Sequence, residues 1–249
     1  YAWLHYSAYS HGVRFKWVWP KLTSDVQNLL KTMVPGAISA GVVQVNLFVD
    51  VMIASFLPTG AVSFLFFADR LNQLPLSLMG ISMSTALLPL TAKHLHRGVI
   101  DAAVYMQNRA LEYSLILTLP AATALILLAH PIISVLFERN HFGAYESLET
   151  SKVLAAFALG LPAYILIKIL STIFFAKLDT KTPLRAALFS LGTNIVCNLI
   201  LIVPFKHVGI ALSTALAAWI NAGYLLRILT KERLIKFDER FKVRFPRII

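Results

Sequence analysis

The sequence predicts an all-α integral membrane protein with about six membrane-spanning helices. Hydrophobic residues make up 57% of the 249 positions and charged residues only 14%, whereas soluble globular chains carry about 25% charged residues. The mean hydropathy is +0.70, and the apolar residues fall into long runs separated by short polar segments. Because a helical span takes about 20 mostly apolar residues, a chain of this length holds six spans and short loops. This excludes a large soluble catalytic domain.

The first half of the chain divides into an interfacial segment and three spans. Residues 1–28 mix Trp and Tyr with Arg and Lys, as is typical of a membrane interface, here on the cytoplasmic side. The first span is predicted at about 29–57 and ends in a Pro-Thr-Gly turn. The second, at about 61–90, is followed by a basic loop, and the third, at about 111–136, by an acidic loop. Proline and glycine recur inside the spans, a feature of helices that line a cavity or bend during transport.

The second half of the chain holds three more spans and a basic tail. The spans are predicted at about 153–176, 183–204 and 208–229, joined by very short connections. Residues 29–229 therefore form a six-helix transmembrane lobe. Residues 230–249 are rich in Lys and Arg and are predicted to be a cytoplasmic tail.

The basic residues lie predominantly on one face of the predicted bundle. With residues 1–31, 91–109, 177–185 and the tail from Arg227 counted as inside, 18 of the 23 lysines and arginines fall in cytoplasmic segments, and only Arg139, Lys152 and Lys206 fall on the opposite face. This asymmetry predicts the cytoplasmic side, and it accounts for the net charge of +11 without a nucleic-acid partner. The single cysteine, Cys197, excludes a disulfide framework and a thiolate metal cluster.

Four polar side chains are predicted in one layer of the membrane. Asp50, Asn198 and Thr214 each lie about 10 Å below the outer surface, at a rise of about 1.5 Å per residue. Asn194 precedes Asn198 by one turn, so both amides point from the same helix face. A carboxylate, two amide carbonyls and a hydroxyl suit a hard cation better than a transition metal. The alternative is that these groups form interhelical hydrogen bonds that hold the bundle together.

Two basic side chains lie at membrane depth, where charge is costly and indicates function. Arg70 lies about 14 Å deep in the second span, at the same rise per residue, beside Asp69 and near Gln73. Its planar guanidinium suits bidentate binding of phosphate, and the alternative is a local ion pair with Asp69. Lys168 lies in the inner third of the fourth span, where it either binds substrate or extends to the cytoplasmic headgroups. Arg70, Gln73 and Lys168 are therefore the candidate substrate-binding residues.

Five stretches of the chain closely resemble the MurJ (MviN) family of lipid II flippases, in the multidrug/oligosaccharidyl-lipid/polysaccharide exporter superfamily. They are the Pro-Gly to Asp segment at 35–50, FADRLNQLP at 67–75, TALLP at 85–89, VLFER at 135–139, and LPAY at 161–164 continuing to FFAKLDTKTP at 174–183. The resemblance extends over about residues 29–229, and FFAKLDTKTP is its most specific part.

The resemblance implies that the chain is the second lobe of a two-lobe, alternating-access transporter. Family members look like fourteen-helix proteins of the bacterial cytoplasmic (inner) membrane that flip the lipid-linked peptidoglycan precursor, lipid II, for cell-wall synthesis. The implied partners are lipid II, membrane lipids and the first lobe of the same protein. Arg70 matches a cavity arginine expected at the pyrophosphate. Asp50, Asn194, Asn198 and Thr214 match positions that resemble the sodium site of some members.

The chain is predicted to be a transporter rather than an enzyme, because no hydrolase constellation, phosphate-binding loop or metal motif stands out. No cofactor is expected other than a sodium ion. A diphosphate headgroup does not cross about 30 Å of hydrocarbon unaided, and a wet cationic cavity lined by Arg70 meets that need. Two alternatives remain, a cation-coupled exporter from another branch of the superfamily and a non-transporting membrane scaffold. Arg70 argues against the first, and Asp50 and the broken helices argue against the second.

Overall fold

A computed structural model describes residues 7, 9, 10, 23–232, 234 and 235. The elements are α1 (Ser24–Ser55), α2 (Ala61–Pro75), a π-helical segment (Leu76–Ile81), α3 (Ser82–His96), α4 (Ile100–Leu127), α5 (Ala129–Phe137), α6 (Ala144–Ala176) and α7 (Lys181–Lys231). No β-strand occurs among these described residues, which confirms the all-α prediction. Most of the predicted 1–28 and 230–249 segments lies outside the described residues.

The longest helix, α7, consists of two halves rather than one straight rod. Its 51 residues would extend about 75 Å as a straight helix, more than twice a hydrocarbon core of about 30 Å. The backbone breaks at Lys206, where φ is 50° and ψ is −129°. Across the break, Ser190 Oγ donates a hydrogen bond to Ala217 O at 2.9 Å. The halves therefore form an antiparallel hairpin. The five helices of the described residues that are long and apolar enough to cross a membrane thus provide six crossings.

A proline changes the helix geometry between α2 and α3. Pro75 ends α2 and has no backbone N–H to donate to the carbonyl of Leu71, four residues earlier. The next six residues adopt the wider π-helical form, which is rare and often occurs at functional sites. Gly80 lies where this segment faces α6, because a Cβ built on it would be 3.3 Å from Ile165 Cγ1. The second predicted span is therefore one long crossing with a π-helical segment in its middle.

Several helices extend beyond the apolar runs that mark the predicted spans. Helix α4 begins well before the span predicted at 111–136 and ends at Leu127. Pro131, in the first turn of α5, has no N–H to donate to the Leu127 carbonyl, so the helix is interrupted there. Helix α6 begins before position 153, and its first turn is closed by Glu146 Oε2, which accepts from the Gly143 N–H at 2.9 Å. The difference arises because hydrophobicity marks only the part of a helix inside the hydrocarbon.

Helix α6 forms the centre of the lobe. It packs against α2, α3, α4, α5 and α7. In its most apolar stretch of 18 residues, 67% of the residues are buried, compared with 17% in the corresponding stretch of α1. Apolar clusters surround Leu154 in the N-terminal half of α6, and Ile169 and Phe174 near its C-terminal end. Helix α1 contacts mainly α7 and leaves most of its apolar side chains exposed. In a membrane such a surface is covered by lipid tails or by another helix bundle.

The short connection from α6 to α7 depends on one aspartate. Asp179 Oδ1 accepts from the backbone N–H groups of Lys181 at 3.0 Å and Thr182 at 3.1 Å, and its Oδ2 accepts from the Thr182 hydroxyl at 2.6 Å. These bonds satisfy N–H groups that have no partner within the first turn of a helix. Lys177 Nζ lies 2.5 Å from Glu232 Oε2, which joins the C-terminal ends of α6 and α7.

Candidate functional site

Asp50 lies where α1 meets both halves of α7. Asn198 Nδ2 donates to Asp50 Oδ1 at 2.7 Å, and Thr214 Oγ1 donates to Asp50 Oδ2 at 3.1 Å. Asn198 Nδ2 also donates to Asn194 Oδ1 at 2.9 Å. Asn194 Nδ2 in turn donates to Thr214 Oγ1 at 3.1 Å. The structure therefore brings together all four residues of the predicted layer, hereafter the Asp50 cluster.

The Asp50 cluster is enclosed by helices. Asp50 is 8% exposed, and Asn194 and Asn198 are fully buried. Asn46, one turn before Asp50 on α1, donates a longer bond from Nδ2 to Asp50 Oδ2 at 3.4 Å. None of the salt bridges among the described residues involves Asp50. A buried carboxylate at membrane depth is costly when no positive charge balances it, so the cluster is suited to a cation.

The cluster offers oxygen ligands of the kind that a hard cation takes after one side-chain rotation. Asn198 directs its NH2 group toward Asp50, and its Oδ1 is buried without a hydrogen-bond partner in the described part of the chain. Rotation of the amide by about 180° exchanges oxygen and nitrogen in nearly the same space and directs Oδ1 toward the carboxylate. Carboxylate, amide and hydroxyl oxygens are ligands of hard cations. The described residues include no group of three or more His, Cys, Asp and Glu side chains placed to hold a metal.

The same contacts also join helices, as the alternative interpretation requires. Through Asp50, Asn198 and Thr214, the cluster links α1 to each half of α7. Interhelical hydrogen bonds in membranes contribute about 0.6 kcal/mol each on average, so the network stabilises the lobe even without an ion. A change in stability alone therefore does not distinguish a cation site from a packing cluster.

Arg70 lies on an exposed face of α2. Its guanidinium carbon is 4.8 Å from the centroid of the Phe66 ring, one turn earlier. The neighbouring Asp69 carboxylate accepts a hydrogen bond from Gln73 Nε2. A cation–π contact uses the face of the guanidinium and leaves its N–H edges available for an anion. The arrangement suits anion binding better than the local Arg70–Asp69 ion pair considered from the sequence.

Lys168 lies on an exposed side of α6, against the π-helical segment. Its Cγ is 3.7 Å from the position of a Cβ built on Gly80. Gly80 follows Arg70 by ten residues, which is about 15 Å along a continuous helix. Arg70 and Gln73 therefore lie one turn apart on α2, whereas Lys168 lies further along this crossing, beside the π-helical segment.

The sequence-based candidates omit some residues that the structure places at or near these sites. Asn46 belongs with Asp50, and its position four residues earlier on the same helix face is a signal that the sequence contains. Tyr164 has a hydroxyl that is buried without a hydrogen-bond partner among the described residues. Near the start of α6 and the break in α7, Glu149 Oε2 lies 3.0 Å from His207 Nε2. No spacing rule identifies these last two features, because they depend on contacts between distant helices.

A sequence model of the family described as "Lipid II flippase MurJ" matches residues 4–249. The chain belongs to this family. A curated relative, the probable lipid II flippase MurJ of Rickettsia prowazekii, is 44% identical over 225 residues, which cover 90% of this chain and 44% of that protein. The corresponding protein of Rhizobium meliloti is 40% identical over 238 residues, covering 96% of this chain and 44% of that protein. The chain therefore spans less than half the length of these relatives.

Solved structures share the fold at low sequence identity. A MOP superfamily transporter from Pyrococcus furiosus matches with a TM-score of 0.72 and 18% identity, covering 89% of this chain and 50% of that chain. An outward-facing MATE family multidrug resistance transporter matches with a TM-score of 0.68 and 19% identity, covering 89% of this chain and 51% of that chain. These matches show the fold, and together with the family membership and the apolar helices they confirm a multi-pass inner-membrane protein.

Proposed function

We propose that this chain is the second lobe of a flippase that carries lipid II from the cytoplasmic to the outer leaflet of the bacterial inner membrane. Membership of the MurJ family carries the proposal, and peptidoglycan synthesis is the process that it supplies. The proposed partners are the lipid-linked precursor, membrane lipids and the first lobe of the same protein. The first lobe would cover part of the apolar surface that α1 leaves exposed.

Arg70 is the residue to which we assign recognition of the pyrophosphate. Its guanidinium is exposed at membrane depth, and the Phe66 ring supports it from one face. The bond from Gln73 to Asp69 engages the nearest carboxylate, which would otherwise compete with an anion for the guanidinium. The planar fork then binds two phosphate oxygens at once, which a lysine ammonium does not do.

Lys168 is assigned to the cytoplasmic part of the transport path. It is exposed on α6 beside the π-helical segment, nearer the cytoplasmic side than Arg70. An ammonium there attracts the diphosphate headgroup before it reaches Arg70. The π-helical segment allows α2 and α3 to bend relative to each other, as alternating access requires.

A sodium ion is proposed for the Asp50 cluster. Asp50, Asn194, Asn198 and Thr214 would hold it, and its charge would balance the buried carboxylate. These residues lie at the contact between α1 and the α7 hairpin. Occupancy of the cluster therefore changes the free energy of the α1–α7 contact, which gives the ion a means of biasing the lobe between conformations.

The alternative to a lipid II flippase is a cation-coupled exporter from another branch of the superfamily. Such a protein exports hydrophobic cations and needs an acidic cavity. The described lobe instead presents Arg70 on an exposed helix face at membrane depth, with the adjacent Asp69 engaged by Gln73. This observation and the family membership favour an anionic substrate.

The test substitutes Arg70 in the full-length protein and measures growth of cells depleted of their own lipid II flippase. Loss of a hydrogen-bonded charge pair costs about 2 to 5 kcal/mol, so Arg70→Ala should abolish complementation and Arg70→Lys, which keeps the charge, should restore it only in part. Arg97→Ala, at an exposed arginine in the predicted cytoplasmic loop, is the matched control and should complement. Membrane levels are checked by immunoblot. Full growth with Arg70→Ala at normal levels would contradict the proposed role.

A further inference from the structure

His207 lies where the two halves of α7 meet, directly after the backbone break at Lys206. It is 7% exposed. Its Nε2 is 3.0 Å from Oε2 of Glu149, in the second turn of α6. Its ring packs against the ring of Phe64 on α2, with the two centroids 5.2 Å apart and an interplanar angle of 62°. One imidazole therefore contacts two other helices at the point where α7 turns back, and these contacts are hereafter called the His207 junction.

The His207 junction extends to the connection between α1 and α2. A Cβ built on Gly60 would be 2.8 Å from Cζ of Phe64, and the φ of Gly60 is 103°, a left-handed conformation that glycine adopts without steric cost. The Phe64 ring therefore lies against the backbone of this turn as well as against His207. Phe64 precedes Arg70 by six residues, which is about 9 Å along the helix. The junction thus holds the N-terminal end of the helix that carries Arg70.

Three charged groups act on His207. They are Glu149 and Lys152 on α6 and the adjacent Lys206 on α7, whereas the contact on α2, Phe64, is uncharged. The Glu149 carboxylate is already paired, because Lys152 Nζ lies 2.6 Å from its Oε1. A proton on His207 would therefore place a third positive charge beside a single carboxylate, in a side chain that is almost entirely removed from water.

Opposing effects decide whether His207 carries a proton. Glu149 favours the imidazolium form, whereas burial and the two lysines disfavour it. Burial is the largest of these effects, so the pKa of His207, which lies between the spans predicted at 183–204 and 208–229, is below its ordinary value. The contact between Nε2 and Glu149 is short but poorly directed for a hydrogen bond, which limits how far Glu149 offsets the burial. The junction is therefore closed around a neutral imidazole, and protonation destabilises it.

We propose that the His207 junction is a pH-sensitive latch that loosens when the compartment outside the membrane becomes acidic. At neutral pH the uncharged ring stays packed against Glu149 and Phe64. Below about pH 6.5, where an exposed histidine gains a proton, the charged side chain moves out to water and frees the α7 break from α2 and α6. The latch is assigned to the outer side because Lys152 and Lys206 fall on the face opposite the basic one. It goes beyond the proposed function and does not depend on which substrate the lobe carries.

The linkage between protonation and opening sets the size of the effect. An open, solvated histidine has a pKa of about 6.5, so at pH 5.5 the open junction gains at most about ten-fold in population relative to a closed junction that binds no proton. At pH 7.5 the same gain is only about 10%. The stability of the closed junction is therefore fully present above about pH 6.5 and is lost as the pH falls below it.

Hydrogen–deuterium exchange of the purified full-length protein at pH 7.5 and 5.5 measures the opening. The exchange rate of the amides at 147–152, near the start of α6, is divided by that of an unstructured reference peptide in the same sample, which cancels the chemical dependence of exchange on pH. This normalised rate should rise about three-fold or more from pH 7.5 to 5.5 in the unsubstituted protein. His207→Gln keeps a polar side chain that does not titrate, so its normalised rate should not change with pH. His141→Gln, at an exposed histidine of the predicted outer loop, is the matched control and should keep the rise.

Lys152→Gln provides a second variant that does not alter the histidine. It removes one of the like charges and releases Glu149 to balance the imidazolium, so the rise should become smaller. A rise in His207→Gln equal to that of the unsubstituted protein overturns the latch, as does an unsubstituted protein without a rise.

Two further outcomes are decisive. If residues 147–152 exchange rapidly at both pH values in His207→Gln, the substitution itself has opened the junction, and Lys152→Gln then decides. A smaller rise in Lys152→Gln supports the latch, and an unchanged rise overturns it. Loss of the rise in His141→Gln would show that the effect is not specific to His207, which also overturns the latch.

Discussion

Gly209 lies at a very close approach between the two halves of α7, and its substitution by alanine tests the hairpin on which the Asp50 cluster depends. A Cβ built on Gly209 would be 2.3 Å from the carbonyl oxygen of Leu201 and 2.7 Å from its carbonyl carbon. Both are backbone atoms, so no side chain can rotate away. Because Cβ contacts under 3.0 Å essentially do not occur, the two halves must separate by about 0.7 Å.

This separation is large enough to disturb the cluster. The bond from Asn194 Nδ2 to Thr214 Oγ1, further along the hairpin, is 3.1 Å long. A uniform separation of about 0.7 Å lengthens it to about 3.8 Å, beyond the range of a hydrogen bond. Overpacking costs about 1 to 3 kcal/mol and a lost hydrogen bond about 0.5 to 1.5 kcal/mol. Gly209→Ala should therefore lower the free energy of unfolding by about 2 to 4 kcal/mol.

Thermal unfolding of the full-length protein in detergent, followed by tryptophan fluorescence, measures the effect. Gly209→Ala should lower the melting temperature by about 2 to 4 °C, since the full-length protein is about twice as long as this chain. Gly192→Ala is the matched control, because a Cβ built on Gly192, in the first half of the same helix, meets nothing within 4 Å. That variant should melt close to the unsubstituted protein. Equal melting temperatures for the two alanine variants would refute the close approach of the two halves.

The remaining predictions concern the cation and the orientation in the membrane. Sodium at 100 times its Kd should stabilise the full-length protein by about 2.7 kcal/mol. Asp50→Asn removes the one formal charge among the proposed ligands, so this stabilisation should disappear. Asp101→Asn, at an exposed residue, is the control and should retain it. Sodium stabilisation that survives in Asp50→Asn would leave the cluster a packing feature. Cysteines at Thr59 and Tyr145, both exposed at predicted outer ends, should react with an impermeant reagent in intact cells. A cysteine at Lys181 should not react, and its labelling would reverse the assigned topology.

Features that are determined within a single helix can be predicted from the sequence. Asp50 and Arg70 are identifiable because a charge at membrane depth is costly whatever surrounds it. The spacing of Asn194 and Asn198 places both amides on one helix face, and a hydrogen bond joins them in the structure. Pro75 predicts a disturbed helix, but the sequence does not distinguish a kink, a break or a π-helical segment. That outcome depends on the packing of the neighbouring α6 against Gly80.

The sequence by itself determined the all-α membrane class, the number of crossings and the depth of each polar group, because these follow from local hydrophobicity and from the fixed rise of a helix. Depth gives the position of a residue along the membrane normal. Its position in the plane of the membrane depends on how the helices pack. Only the tertiary structure therefore brings Asp50 to Asn198 and Thr214, places Lys168 beside the π-helical segment, and buries the Tyr164 hydroxyl without a hydrogen-bond partner among the described residues. The partners in these contacts lie on different helices and far apart in the chain, where no local periodicity relates them.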